Sequence, residues 1–109
     1  MLYYKAHLSK TCQEWVVFVH GAGGSSSIWY KQIREFRQHL NVLLIDLRGH
    51  GKSRFQAALK KQKDYTFKQV SQEIIEVLDY LKIQSAHFVG ISLGTIIIRT
   101  IGEIAPARI

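Results

Sequence analysis

The segment that most constrains this fold is Gly90-Ile91-Ser92-Leu93-Gly94, which lies between two apolar runs of different lengths. The run before it, Ala86 to Val89, is typical of a buried strand, and the run after it, Thr95 to Ile104, is typical of a helix. A chain that turns this sharply forces Ser92 into a strained backbone conformation and lifts its hydroxyl clear of the sheet. Crowding beside the turn leaves room only for very small residues at positions 90 and 94. We call residues Gly90–Gly94 the elbow.

Two other turns follow predicted strands. The apolar strand Trp15 to Val19 runs into His20-Gly21-Ala22-Gly23-Gly24, here called the glycine turn, which can aim backbone N–H groups at a developing negative charge. The strand Asn41 to Ile45 runs into Asp46 to Ser53. Open α/β sheets place their ligands at the carboxyl ends of their strands. Together, the three turns resemble those of the α/β-hydrolase family, and the resemblance extends from about Tyr3 to the last residue.

The resemblance implies an α/β fold, with a mostly parallel sheet and flanking helices, truncated after the helix that follows the elbow. It implies that Ser92 is a nucleophile and that the N–H groups of Ala22 and Leu93 form an oxyanion hole. The substrate class would be an ester, thioester, lactone or related small acyl compound, and the residues that bind it are not predicted. No metal or organic cofactor is implied.

The resemblance leaves the catalytic base and acid unassigned. In this family both follow the serine, yet only fifteen residues follow Gly94, and all five histidines precede the elbow. We expect His20 and His50 to hold their turns through bonds to the backbone, and Asp46 to brace the turn that it begins. Three acidic residues of the helix that precedes the elbow are expected to be solvated: Glu73, Glu76 and Asp79. The chain therefore reads as the front half of a hydrolase, and by itself is predicted to be inactive.

Hydrophobic spacing predicts the remaining elements. Leu2 to Leu8 alternates like a strand and is expected to pair beside the next strand. Thr66, with Gln69 three residues later, forms a capping box that starts a helix ending near Lys82. The apolar helix Leu93 to Glu103 is expected to be central and buried. A loop is expected from Arg54 to Asp64.

One more helix is predicted after the serine run Ser25 to Ser27, which offers hydroxyls for its first turn. Its apolar stripe is expected to pack on the sheet while its basic residues stay in water. The stripe consists of Trp29, Ile33, Phe36 and Leu40, and the basic residues are Lys31, Arg34 and Arg37.

Composition limits the alternatives. Residues 1–109 fit a single domain, and 47% apolar and 21% charged residues are typical of a soluble globular protein. No apolar run approaches the roughly 20 residues of a membrane span, and Met1 to Lys5 lacks a secretory signal, so a cytoplasmic location is expected.

Cys12 is alone and cannot form an intrachain disulfide. The net charge of +7 would suit nucleic acid, but the lysine-rich stretch from Lys52 to Lys68 matches no nucleic-acid motif. We therefore expect no nucleic-acid partner.

A second functional class remains open at this point. The chain could be a non-catalytic binding or assembly module that keeps the sheet without the chemistry. A sheet that ends at the elbow strand exposes an edge and an apolar helix face, which favours self-association or pairing with a complementing chain.

Overall fold

The computed structural model describes residues 1–54 and 65–109. The loop predicted from Arg54 to Asp64 therefore lies outside the described residues, apart from Arg54 itself. Three lysines of the basic stretch lie outside them as well: Lys60, Lys61 and Lys63.

Four strands form one sheet in the order β1-β3-β2-β4. They are Tyr4–His7 (β1), Trp15–Val19 (β2), Asn41–Ile45 (β3) and His87–Gly90 (β4). Strand β2 runs parallel to both β3 and β4, whereas β1 runs antiparallel to β3. The prediction of a mostly parallel sheet is confirmed.

The predicted position of the first strand is wrong. Strand β1 does not pair with β2 but lies outside β3, with Tyr4 opposite Ile45 and His7 opposite Val42. Strand β2 is central, with the parallel strands β3 and β4 on its two sides, and its residues Val16 to Val19 are buried by the elements that cover both faces. The half-exposed β1 is left with the free edge of β3.

Helices cover both faces of the sheet. The first face is covered by a 3₁₀ turn, Ser26–Trp29, that leads into α1, Tyr30–Phe36. The predicted apolar stripe packs there against Val16, Phe18 and Leu44, and its three basic residues are exposed, as predicted. Ser25 caps the 3₁₀ turn by accepting a hydrogen bond from the Ser27 amide at 3.3 Å. Two shorter 3₁₀ turns comprise Gly51–Ser53 and Pro106–Arg108.

The second face is covered by α2, Phe67–Tyr80, and α3, Leu93–Ile104. Thr66 is the N-cap of α2, and its hydroxyl oxygen accepts a hydrogen bond from the Gln69 amide at 3.1 Å, which confirms the predicted start. The larger core lies between these helices and the sheet. It contains Val17, Val19, Leu43, Ile45, Val70, Ile74, Val77, Ile97 and Ile101, among others.

Helix α3 is less buried than its composition predicts. Gly94, Ile97 and Ile101 are buried, but the side chains of Ile96 and Ile104 remain 45% and 38% exposed. The reason is that β4 is the last strand on this side of the sheet, so nothing in the described structure covers the outer flank of the helix. The expectation of full burial is therefore wrong for this chain.

Candidate active site

Ser92 lies at the bend between β4 and α3 with φ 53° and ψ −119°. This positive φ is a strained conformation for a residue with a side chain, and only one other described non-glycine residue, Lys82, has a positive φ. Ser92 is exposed and occupies the N-cap position of α3, but its hydroxyl makes no capping hydrogen bond. The strain predicted for the elbow is present, and the serine does not serve as an ordinary helix cap.

The two glycines of the elbow make close backbone contacts. A Cβ atom on Gly94 would overlap the carbonyl oxygen of Val19, and one on Gly90 would lie 2.6 Å from Ile98 Cδ1 and 2.9 Å from the backbone of Gly94. The Ile91 amide also donates to Val19 O at 3.3 Å, which ties the elbow to the end of β2. The predicted need for very small residues at both positions therefore has a direct steric cause.

The glycine turn lies against the elbow. A Cβ atom added to Gly21 would stand 3.2 Å from Ser92 Cβ and 3.2 Å from Ile91 O. The amides of Ala22 and Leu93 donate no hydrogen bond to any acceptor in the described part of the chain. The Leu93 N–H follows Ser92 directly in the chain, and the Ala22 N–H belongs to the residue after Gly21, which packs against Ser92.

His20 fixes the glycine turn through both of its ring nitrogens. The Leu47 amide donates to Nε2 at 3.0 Å, so the ring proton lies on Nδ1, which donates to Gly21 O at 2.7 Å. The Gly24 amide donates to the same carbonyl oxygen at 3.1 Å. Because Gly21 O and the Ala22 N–H belong to one peptide unit, these bonds also set the direction of the Ala22 N–H.

The imidazole of His20 is completely buried, and this burial lowers its pKa, opposed in part by the bond to Gly21. The ring of His50 lies 5.1 Å away, and its Nδ1 is 3.0 Å from Arg48 O. Both histidines bond to the backbone as the sequence predicts. His20 has no free nitrogen with which to take a proton from a nucleophile.

Asp46 joins the third turn to the first helical turn. One carboxylate oxygen accepts from the Ser26 amide at 2.7 Å and the other from the Lys52 amide at 3.0 Å. The Ser53 hydroxyl donates to Asp46 O at 2.6 Å and accepts from the Tyr3 amide at 2.8 Å. Asp46 braces this turn, as expected, and also connects it to the segment that leads into α1.

A buried ion pair joins Arg48 and Glu73, and the sequence did not predict it. Arg48 Nε lies 3.0 Å from Glu73 Oε1, and the two side chains are only 1% and 10% exposed. Tyr65 lies over the guanidinium, with 5.2 Å between Arg48 Cζ and the ring centre, and donates its hydroxyl hydrogen to Arg48 O at 3.2 Å. The expectation that Glu73 is solvated is therefore wrong, whereas Glu76 and Asp79 are exposed as expected.

A signal for this pair was available in the spacing of α2. Glu73 comes three residues after Val70 and four before Val77, so it borders the buried stripe. A carboxylate at such a position needs a buried cation as partner. The sequence did not reveal that Arg48, in a distant turn, supplies it.

The sequence matches the family described as alpha/beta hydrolase fold over residues 14–109. The chain belongs to the α/β-hydrolase family. It is 29% identical over 93 residues to 3-oxoadipate enol-lactonase 1 of Acinetobacter baylyi, covering 85% of this chain and 33% of that protein. It is 30% identical over 91 residues to (E)-2-((N-methylformamido)methylene)succinate hydrolase of the same bacterium, covering 84% and 33% of the two chains.

A solved structure of this family gives a similar result. The enol-lactonase from Burkholderia xenovorans superposes with a TM-score of 0.87 at 30% identity, covering 99% of this chain and 40% of that one. These relatives are hydrolases of the α/β-hydrolase family. The chain spans about a third of the length of the curated relatives it matches.

Within residues 1–54 and 65–109, no helix is long and apolar enough to cross a membrane. The same residues contain no group of three or more His, Cys, Asp or Glu side chains that could hold a metal ion. His39 and His87 lie on the surface next to Glu35 and Glu14, at 3.3 and 3.4 Å.

Proposed function

We propose that this chain provides the nucleophile and the oxyanion-binding amides of a serine hydrolase that cleaves an ester, thioester, lactone or related acyl substrate. Ser92 attacks the carbonyl carbon, and the N–H groups of Ala22 and Leu93 stabilise the negative charge that develops on the carbonyl oxygen. The observation that carries this proposal is the strained, exposed and uncapped Ser92 beside Gly21.

The proposal also predicts that the chain by itself has negligible turnover. A serine hydroxyl needs a base to take its proton, and both nitrogens of His20 are already bonded to the backbone. In the family, the acid and the histidine come later in the sequence than the nucleophile. We therefore propose that a chain continued beyond Ile109 with these two residues is active.

Hydrolysis of a chromogenic acetate ester tests this proposal. We expect the 109-residue chain and its Ser92→Ala variant to show the same background rate. A longer chain carrying the base and acid should turn the ester over, and Ser92→Ala should lower its kcat by about 10⁴-fold or more. A longer chain whose rate is unchanged by Ser92→Ala would refute the assignment of the nucleophile.

A second measurement tests the site without a base. A cysteine at position 92 ionises on its own, and the start of α3 and free amides nearby should stabilise its thiolate. In a Cys12→Ser background, alkylation of Ser92→Cys across pH should give a thiol pKa below about 8.5, the usual value for cysteine. Cys12 of the unaltered chain is the control. A thiol at position 92 with an ordinary pKa would argue against a preorganised anion site.

A second candidate function is assembly. Strand β4 is an edge strand, and the exposed side chains of Val89, Ile91, Ile96 and Ile104 lie on it or on the adjoining helix and elbow. Unpaired edges with apolar neighbours favour pairing with another copy or with a complementing chain. Sedimentation equilibrium tests assembly independently of hydrolysis. If the unaltered chain is an oligomer and Ile96→Glu is a monomer, assembly through this surface is supported. A wild-type chain that is monomeric at high concentration would exclude self-assembly.

A further inference from the structure

A second concave surface lies on the α1 side of the sheet, away from the elbow. We call it the β1 groove. It has a volume of about 340 Å³ and runs between one face of β1 and the segment from Ser25 to Ile33. None of its lining residues belongs to the elbow or to the glycine turn. Its walls are formed mainly by Tyr3, Lys5, His7, Ser27, Tyr30 and Lys52.

The β1 groove contains two ammonium groups, of Lys5 and Lys52, and one carboxylate, of Asp46. Lys5 and Lys52 form no ion pair with any carboxylate that the structure describes. The one acidic residue that lines the groove is Asp46, which is buried and already accepts two backbone amides. The two ammonium groups outnumber the one carboxylate, so the lining of the groove carries a net positive charge.

His7 provides an independent sign of this environment. Its Nε2 atom is buried and has no hydrogen-bond partner within the described residues. Burial lowers the pKa of His7, and the nearby charges of Arg37 and Lys5 lower it further. A site that disfavours further positive charge is suited to a ligand that brings negative charge.

The remaining walls suit the body of such a ligand. The Lys52 ammonium lies over the ring of Tyr3, 5.0 Å from its centre. The ring of Tyr30 is largely exposed beside Ile33. The run Ser25 to Ser27 adds hydroxyl groups at the rim. Aromatic and aliphatic walls with a few polar groups are typical of sites for small organic molecules.

We propose that the β1 groove binds a small organic anion, whose carboxylate or phosphate group is held by Lys5 and Lys52. The apolar or aromatic body of the ligand packs against Tyr3, Tyr30 and Ile33. This binding is separate from the chemistry at Ser92 and does not depend on it.

The test is an NMR titration of the chain with phenyl phosphate, benzoate, inorganic phosphate and benzyl alcohol. We expect phenyl phosphate or benzoate to shift the His7 imidazole signals to saturation and to raise the pKa of His7. Inorganic phosphate, without a body, and benzyl alcohol, without a charge, should bind more weakly. Ser92→Ala should leave the titration unchanged, which keeps this result distinct from the hydrolase proposal.

A charge-matched pair of variants controls for net charge. Lys5→Gln with Lys52→Gln should weaken phenyl phosphate binding at least about ten-fold, because charge-assisted contacts are lost. Lys68→Gln with Lys82→Gln removes the same charge elsewhere and should have little effect. The proposal is overturned if both pairs of variants weaken binding equally. It is also overturned if benzyl alcohol binds as tightly as the anions, or if the His7 signals never saturate.

A longer polyanion is the competing occupant, because Lys10, Arg34 and Arg37 line a neighbouring surface. A short single-stranded oligonucleotide serves as the probe. If it binds more tightly than phenyl phosphate and loses affinity in Arg34→Gln with Arg37→Gln, the surface is a diffuse polyanion site and the small-anion proposal fails.

Discussion

The Leu47 amide donates a hydrogen bond to Nε2 of the buried His20 at 3.0 Å, which places the ring proton on Nδ1. The Nδ1–H group donates a hydrogen bond to Gly21 O, which belongs to the same peptide unit as the Ala22 N–H. The end of β3 and the glycine turn after β2 are thus locked together through one neutral imidazole. A proton added at Nε2 would break this link, because the nitrogen would no longer accept the Leu47 amide.

This link predicts a pH-dependent stability. The pKa of His20 is lowered in the folded state, so between that value and about 6.5 the unfolded chain binds more protons. The free energy of unfolding should therefore be constant above about pH 7 and fall as the pH drops through and below 6.5.

Because His7 also has a lowered pKa, urea unfolding between about pH 5 and pH 8 should be measured in a His7→Gln background. In that background, we expect the free energy of unfolding to vary less with pH when His20→Gln is added. An equal slope with and without His20 would contradict the lowered pKa of this residue.

The buried pair of Arg48 and Glu73 predicts a non-additive effect. Glu73→Gln leaves a buried guanidinium without its counter-charge and should lower the free energy of unfolding by about 3–5 kcal/mol. Replacing both residues, as Arg48→Met with Glu73→Leu, should cost clearly less than Glu73→Gln alone, because neither side of the pair is then left as an unpaired buried charge.

The exposed pair Arg99 and Glu103, 3.5 Å apart on α3, provides the control. Arg99→Ala should change stability by less than about 1 kcal/mol. Urea denaturation measures these changes. If the double replacement costs as much as Arg48→Met and Glu73→Leu measured separately and added, the two side chains are not coupled.

Two glycines of α3 predict opposite responses to the same substitution. Gly94→Ala should destabilise the fold by about 1–3 kcal/mol or more, since its methyl group would overlap Val19 O. Gly102→Ala should stabilise it by about 0.5–1 kcal/mol, because the nearest atom, Ile109 Cδ1, is 3.6 Å away and alanine is the better helix former. Thermal unfolding checks both. Equal effects at the two positions would mean that the elbow is not tightly packed.

The strain at Ser92 predicts an unusual preference for glycine. A positive φ costs about 1–3 kcal/mol for a residue with a side chain. Glycine avoids this cost but loses more conformational entropy on folding, so Ser92→Gly should be more stable than Ser92→Ala by about 1 kcal/mol. At Ser27, an exposed position without a positive φ, the order should reverse. Denaturant midpoints of the four variants measure this. An alanine at 92 as stable as glycine would show that the bend is relaxed.

Features encoded by neighbouring residues could be predicted from the sequence. The elbow, the Thr66 cap and the limits of β2 and β3 depend on local sterics, hydrogen bonding and hydrophobic periodicity. The family, the mostly parallel sheet and the roles of His20 and Asp46 in holding turns were therefore predictable. The assignment of Ser92, Ala22 and Leu93 to catalysis stays a prediction.

Only the tertiary structure decided which segments meet. The place of β1 beside β3, the burial of Glu73 against Arg48 and the exposure of Ile96 depend on residues far away in the chain. Strand pairing, ion pairing and burial are set by the packing of whole elements, and the spacing within one element does not specify its neighbour. The sequence by itself determined the turns and their residues, and the three-dimensional packing determined their partners.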